Sequence, residues 1–417
     1  MEAPLLLTHV CRAWRQIAIT TPALWTTFDI QNASSLPRLP EIATAWFERA
    51  RKCSLSVRIH GSLKANVTFL AFMEPFRKHS REMRSLELHT GVEDFNAMDA
   101  HFEALDLSLL QKLLLRHLND SDEDFPTTTI RMFHNVPLLH DVLMAEVPPT
   151  FVALPWQQLT KFTGERYTVE ECLDALRLMP NLVDCSFCVF DDDTDGLEIF
   201  SHPNIQHLTL FESTPQVNLY ASDFGEGASS ARILTLVTLP ALQTLEIQGV
   251  DDFEEDELDL FLSRSSPPLR KLIVRPLPSW EGCTTLQFNT PFTGLGLAEL
   301  EIWHPSRAFL GLFFNFLGWD SGLLPQLRKL SLQGCGAGHG VADVYEILLM
   351  AAVPIAKRRA GVAGYAQLQS FHAVHQTFDG VYESTEYPEK ILLPFRILKA
   401  SGLDVYIQVG SQKESVI

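Results

Sequence analysis

The six residues Leu242-Gln243-Thr244-Leu245-Glu246-Ile247 decide how this chain folds. Apolar side chains stand at the first, fourth and sixth positions, with polar ones between them. The same phrase recurs as Ile205 to Leu210, Leu269 to Val274, Leu297 to Ile302 and Leu327 to Leu332. Weaker copies begin at Met83, Leu110, Leu139, Leu159, Leu182 and Leu368. Subtracting each start from the next gives 27, 29, 20, 23, 23, 37, 27, 28, 30 and 41 residues. Chance supplies one or two such phrases, not eleven at this spacing. The gaps of 37 and 41 imply insertions.

The geometry of a strand explains the phrase. Alternate side chains point the same way, so its last two apolar residues face a core and the residue between them faces the other side. A return segment must then cover the core side of the sheet. Several returns read as amphipathic helices. Thr168-Val169-Glu170-Glu171 has the form of a capping box, followed by Leu173, Leu176 and Met179 on one face. Glu254 to Leu262 has acidic residues in its first turn and Leu258, Phe261 and Leu262 facing inward. Val341 to Ala351 places Val344, Ile347, Leu348 and Ala351 at helical spacing. Strand, loop and helix repeated at this length stack into a right-handed α/β solenoid.

From Met83 to about Ala373 the phrase resembles leucine-rich repeats, whose usual spacing is 20–29 residues. The resemblance implies a horseshoe-like solenoid of parallel strands with helices on the outer side. The usual Asn or Cys ladder is missing. Irregular, Asn-poor repeats of this kind are similar to those of ubiquitin-ligase substrate receptors.

Residues 6 to 25 carry the sharpest motif. Leu7, Val10, Cys11, Arg12, Trp14, Arg15, Ile17 and Ala18, with Pro22, Leu24 and Trp25 downstream, resemble the second half of a fungal-type F-box. The spacing predicts one helix with Leu6 or Leu7, Val10, Trp14 and Ile17 on one face. Thr20-Thr21-Pro22 ends it, because a residue before proline avoids the α region. The resemblance implies docking on the Skp-type adaptor of a cullin–RING ligase through Leu7, Val10, Cys11, Trp14, Ile17, Leu24 and Trp25. The family's first Leu-Pro helix, about twenty residues upstream, has no counterpart in this sequence, so half of the docking surface is expected. The alternative is that Leu7, Val10 and Trp14 pack onto the first solenoid turns.

Between motif and repeats, Leu39 to Arg51 reads as a helix with Ile42, Trp46, Phe47 and Ala50 on one stripe. Leu55 to Ile59 alternates like a strand, and Ala65 to His79 reads as helical. The terminal repeat needs such a cap. The expected organisation is a partial F-box-like segment at 1–27, a connecting and capping region at 28–82, a solenoid at 83–400, and a C-terminal cap and tail at 401–417.

Composition agrees with this reading. The chain has 417 residues, 46% hydrophobic and 20% charged, and a net charge of −18. The acidic balance argues against nucleic acid and against anionic membranes, which need clustered Lys and Arg. The one compact basic run, Lys357-Arg358-Arg359, reads as a solvated turn. No apolar stretch is long enough to span a bilayer, the most apolar being Phe309 to Trp319 around Asn315, and the first residues do not form a signal peptide. Seven irregularly spaced cysteines, Cys11, Cys53, Cys172, Cys185, Cys188, Cys283 and Cys335, fit a reducing cytoplasmic or nuclear compartment. The sequons at Asn66 and Asn119 matter only in a secreted protein.

Four stretches approach catalytic or metal-binding motifs. Asp191-Asp192-Asp193-Thr194-Asp195-Gly196 begins like a calcium loop, but His202 stands where the bidentate Glu belongs. Cys185 and Cys188 form a Cys-x-x-Cys pair without a second pair, and Cys185 occupies a core position of its phrase. Gly334 to Gly340 lacks the dinucleotide spacing. Gly227 to Ala231 lacks the last glycine of a nucleophile elbow. Neither catalytic residues, metal nor cofactor are expected, and the chain reads as no enzyme.

The acidic run Asp251 to Glu257 suits a helix start and would attract a basic partner. Ser415-Val416-Ile417 resembles a short C-terminal peptide ligand and reads more simply as a frayed tail. A target protein is expected on the outward strand positions Glu246, Gln248, Glu301, Trp303, Ser331 and Gln333. Trp303 serves there either as an aromatic anchor or as packing for the next turn. A basic target is the first to try. The alternative is an interaction scaffold without ligase coupling.

Overall fold

The computed structural model describes residues 3–31, 38–61, 67–102, 105–118, 125, 128–191, 193–211, 230–248, 255–275, 295–305, 307–320, 322–334, 341–361, 365–375, 389–409 and 415–417. Several sequence features lie outside them: Cys283, Cys335, both sequon asparagines, Asp192, residues 225–229, the acidic residues 251–254 and the glycines after Gly334. The side chain of Val344 also lies outside. The fold is α/β, built on parallel strands, and the chain forms two compact units, Met1–Phe187 and Cys188–Ile417.

The first unit contains α1 (Ala3–Val10), α2 (Arg12–Thr20), β1 (Thr27–Gln31), α3 (Leu39–Ala50), β2 (Leu55–His60), α4 (Val67–Lys78), β3 (Met83–Thr90), α5 (Val92–Phe102), β4 (Lys112–His117), β5 (Asp141–Ala145), β6 (Lys161–Thr168) and α6 (Val169–Leu178). Strands β1 to β6 follow one another in space as in sequence, each parallel to the next. Val183 and Asp184 donate their N–H groups to the Thr160 carbonyl, which brings in β7 (Asp184–Asp191).

The second unit contains β8 (Phe200–Ser201), β9 (His207–Leu210), α7 (Ile233–Leu236), β10 (Val237–Thr238), β11 (Thr244–Gln248), α8 (Glu255–Ser265), β12 (Lys271–Arg275), β13 (Glu299–Trp303), α9 (Arg307–Trp319), β14 (Lys329–Gln333), α10 (Val341–Arg359), β15 (Ser370–His375), α11 (Glu389–Ala400) and β16 (Asp404–Val409). Strands β9 and β11 to β16 form a second parallel series. β8 and β10 pair separately.

Each of the eleven phrases forms a strand. Their first apolar residues, from Met83 to Leu368, are all buried, and so are the pairs that follow, such as Leu113 and Leu115 or Leu330 and Leu332. Burying one such side chain is worth about 1.5–3 kcal/mol. The repeated phrase is therefore the core of each unit. Two strands were not expected from the phrase. β1 buries Phe28 and Ile30 behind Trp25, a further copy of the phrase, and β16 buries Val405 and Ile407 with Gly402 in the leading position.

The helices fill the returns. The capping box forms as expected: the Thr168 hydroxyl accepts from the Glu171 N–H, and the Glu171 carboxylate accepts from the Thr168 N–H. Burial raises the Glu171 carboxyl above its usual range, outweighing the hydrogen bonds with Thr168, which lower it. The 20-residue repeat starting at Leu139 is too short for an α-helix and returns through 3₁₀ turns at Pro149–Phe151 and Trp156–Gln158. In α3, Leu39, Ala43, Trp46, Phe47 and Ala50 are buried, whereas Ile42 is exposed; the buried stripe runs through Ala43 instead.

Three expectations are corrected. Helix α10 does not stop at Ala351 but continues through Pro354 to Arg359. Gly318 of α9 lets the Pro354 ring approach, since a Cβ there would lie 3.3 Å from its Cγ. The basic run is no solvated turn. Lys357 donates to the Gly318 carbonyl at 3.1 Å. Arg358 is fully buried and donates to the carbonyls of Leu317, Leu323 and Leu324. Arg359 reaches Leu368 and Ser401. Lys357 and Arg358 thereby meet the carbonyl end of α9, where a helix dipole favours positive charge.

The tail is not frayed. Ile407 of β16 donates its N–H to the Ser415 hydroxyl and accepts from the Val416 N–H, and Lys399 donates to the Ile417 carbonyl.

Candidate functional site

The N-terminal motif folds as two helices, not one. Cys11 leaves the helical region at φ −158° and ψ 174°, and its Sγ accepts from the Trp14 N–H as the N-cap of α2. Arg15 Nε donates to the Thr8 carbonyl at 2.8 Å across the break. Helix α2 ends before Pro22, with Thr21 extended, as the sequence predicts. A 3₁₀ turn, Pro22–Trp25, then leads into β1.

Only one side of this hairpin is fastened. Ala18 and Trp25 are fully buried. The Trp25 ring meets Trp46 edge-on at 4.8 Å, and the Arg49 guanidinium lies 4.4 Å from its centroid. Trp25 is therefore a packing residue and offers no docking surface, contrary to the expectation from the motif. Leu7 and Leu24 are half-buried, and Cys11 is exposed. Leu6, Val10, Trp14 and Ile17 stay 50–63% open to solvent. Val10 and Trp14 thus do not pack onto the first turns of the sheet.

The six candidate target-binding residues stand together on the outward strand face of the second unit. Register places Glu246, Ile273, Glu301 and Ser331 in one row, with His372 and Tyr406 continuing it. Gln248 faces Arg275, and Trp303 faces Gln333, in the next row. All six are half-buried.

Within each strand the second-row residue donates to the first. Gln248 Nε2 donates to Glu246 at 2.7 Å, Trp303 Nε1 to Glu301 at 2.6 Å, and Gln333 Nε2 to Ser331 at 2.8 Å. Trp303 is thus neither free nor buried in the next turn.

Arg275, missed in the sequence, joins the cluster. Its guanidinium lies 3.3 Å from Glu246 and 3.1 Å from Glu301, and 5.0 Å from the Trp303 ring centroid. One signal could have found it: Arg275 stands at the same phrase position as Gln248, Trp303 and Gln333. Nearby, the Asp404 carboxylate receives hydrogen bonds from His372 and Ser370, which hold it below its usual range. The cluster has donors, acceptors and an aromatic face, which suits binding by complementarity.

Of the other motifs, the Cys-x-x-Cys cysteines and His202 lie in the core, whereas residues 225–229 and 335–340 lie outside the described residues. Cys172, Cys185 and Cys188 are buried, and burial pushes the Cys185 thiol well up. His202, at the twelfth position of the calcium-like loop, is buried and its Nδ1 accepts from the Asn204 N–H at 3.3 Å. No group of three metal-ligating side chains gathers among the described residues. No helix among them is long and apolar enough to cross a membrane. Compared with known proteins, the chain matches no family model and no curated sequence at a significant level.

Proposed function

We propose that this chain is the F-box-type substrate receptor of a cullin–RING ubiquitin ligase, with leucine-rich repeats as its target-binding part. It would dock on the Skp-type adaptor through the hairpin α1–α2 and hold a target protein on the outward strand face. The observation that carries the reading is the open apolar side of the hairpin: Leu6, Val10, Trp14 and Ile17 remain half or more exposed. Such a face stabilises a complex when an apolar groove covers it. Of the motif residues proposed to dock, Val10, Cys11, Trp14 and Ile17 are exposed, Leu7 and Leu24 are half-buried, and Trp25 is buried.

The polar cluster around Arg275 supports the second half of the reading. It is half-buried and carries an aromatic ring with an arginine, the residue types enriched at binding hot spots. The chain itself would do no chemistry.

Co-precipitation with purified adaptor tests the proposal, using wild type and a Val10→Glu/Trp14→Glu double variant, each with and without any upstream coding sequence. Wild type should bind and the variant should lose at least tenfold in affinity, roughly 1.4 kcal/mol. Absence of binding in every form would leave the scaffold reading, in which a target still binds the strand face and Arg275→Ala weakens it.

A further inference from the structure

The outer helices of the second unit carry an apolar face that the proposed function does not use. On α9, Leu312, Phe316 and Trp319 follow one another at helical spacing. Leu349 and Val353 do so on α10, and Leu393 and Ile397 on α11. These seven are 37–80% exposed. Helices α9 and α10 lie side by side, with Gly311 against Met350 and Gly318 against Pro354. The ammonium of Lys357 sits 4.0 Å from the Trp319 ring centroid. Contiguous apolar patches of this extent mark interaction surfaces.

We propose that α9, α10 and α11 form a self-association face, and that its occupant is the same face of a second copy of this chain. Two observations choose this occupant. The first is area. At these exposures the seven side chains leave about four whole residues' worth of surface open, on the order of 700 Å² at ~150–200 Å² per large residue. A stable interface takes about 800 Å² from each partner.

The second observation is charge. A twofold interface brings a patch against itself, so unpaired charge on it would meet its like. Here the margins carry neutral pairs, Arg307 with Glu346 and Arg396 with Glu389, and the cation on the face, Lys357, is held by the Gly318 carbonyl and the Trp319 ring. An anionic bilayer fits worse. The Lys357–Arg359 run that could attract headgroups is engaged by backbone carbonyls.

Light scattering behind size exclusion, across micromolar concentrations of the full chain, tests this. Wild type should approach twice 46.9 kDa. Val353→Glu with Ile397→Glu should raise the dimer dissociation constant at least about tenfold, with an unchanged circular dichroism spectrum. Leu349→Gln with Trp319→Ala gives a second, milder pair should the first fail to fold. The Val10→Glu/Trp14→Glu hairpin variant should still dimerise, which separates this face from the proposed adaptor face.

A wild type that stays monomeric overturns the proposal. So does a dimer that survives both helix pairs. A monomer that sediments with phosphatidylserine–phosphatidylcholine vesicles, and loses this with the same substitutions, assigns the face to a membrane instead.

Discussion

The Trp25 indole donates its Nε1–H to the Ala18 carbonyl at 2.7 Å. This bond joins the end of α2 to the turn that enters β1, and both residues are fully buried. Trp25→Phe should keep most of the packing and lose the bond, at about 1 kcal/mol. Trp25→Ala should cost about 3–5 kcal/mol. Urea unfolding of both variants measures the difference, and a Trp25→Phe variant as stable as wild type would show that the bond contributes nothing.

Arg275 bridges Glu246 and Glu301, which otherwise face each other across Ile273. The guanidinium is partly exposed, so its loss should cost only about 1 kcal/mol of stability. Arg275→Ala should nevertheless impair target binding, because two carboxylates and Trp303 lose their common partner. Arg275→Lys keeps the charge but not the planar fork and should restore little. Full binding by the lysine variant would mean that charge alone matters there.

Arg358 has the reverse balance. Its side chain is buried against three carbonyls and the Tyr365 ring, 3.8 Å from the centroid. Each abandoned buried acceptor costs about 1–3 kcal/mol, so Arg358→Met should destabilise the second unit by several kcal/mol. Lys357→Met, at an exposed position, should cost less than about 1 kcal/mol. Thermal unfolding of the two variants side by side should rank them in that order.

His89 makes stability depend on pH. Its ring stacks on His60 at 4.0 Å and pairs in register with Arg116. Burial first, then His60, Arg116 and Arg58, push its pKa down from 6.5 to about 4. Between those values the unfolded chain binds more protons than the folded one, so stability rises with pH. The contribution is complete above about pH 6.5 and fades toward pH 4, by about 1–2 kcal/mol after solvent screening of the half-exposed ring. Urea midpoints at both ends of that window should fall further for wild type than for His89→Gln. Equal falls would place the dependence elsewhere.

The repeat was legible because an apolar position that recurs in sequence recurs in the core. Leu245 and Ile247, or Leu300 and Ile302, needed no partner to be assigned. Partners are what the pattern could not supply. Arg358 looks like Lys357 in sequence, and only the end of α9 and the residues Leu323 and Leu324 beyond it aim three carbonyls at its side chain. Trp25 matches the docking motif, yet Trp46, twenty-one residues on, takes its ring inside. The break at Cys11 was hidden for another reason: Val10, Trp14 and Ile17 keep helical spacing across it. In the candidate site, outward positions were correct by alternation, whereas Arg275 became visible only when strand register set it between two glutamates.

The contact of residues 415–417 with β16 bears on polymerisation. A parallel strand series leaves an unpaired backbone edge after its last member, and such an edge can template the strand of another molecule. Ser415 and Val416 use both edge-facing groups of Ile407. They act as a stopper at the middle of that edge. Removing them should open the Ile407 N–H and carbonyl to a strand of another molecule and so favour fibres.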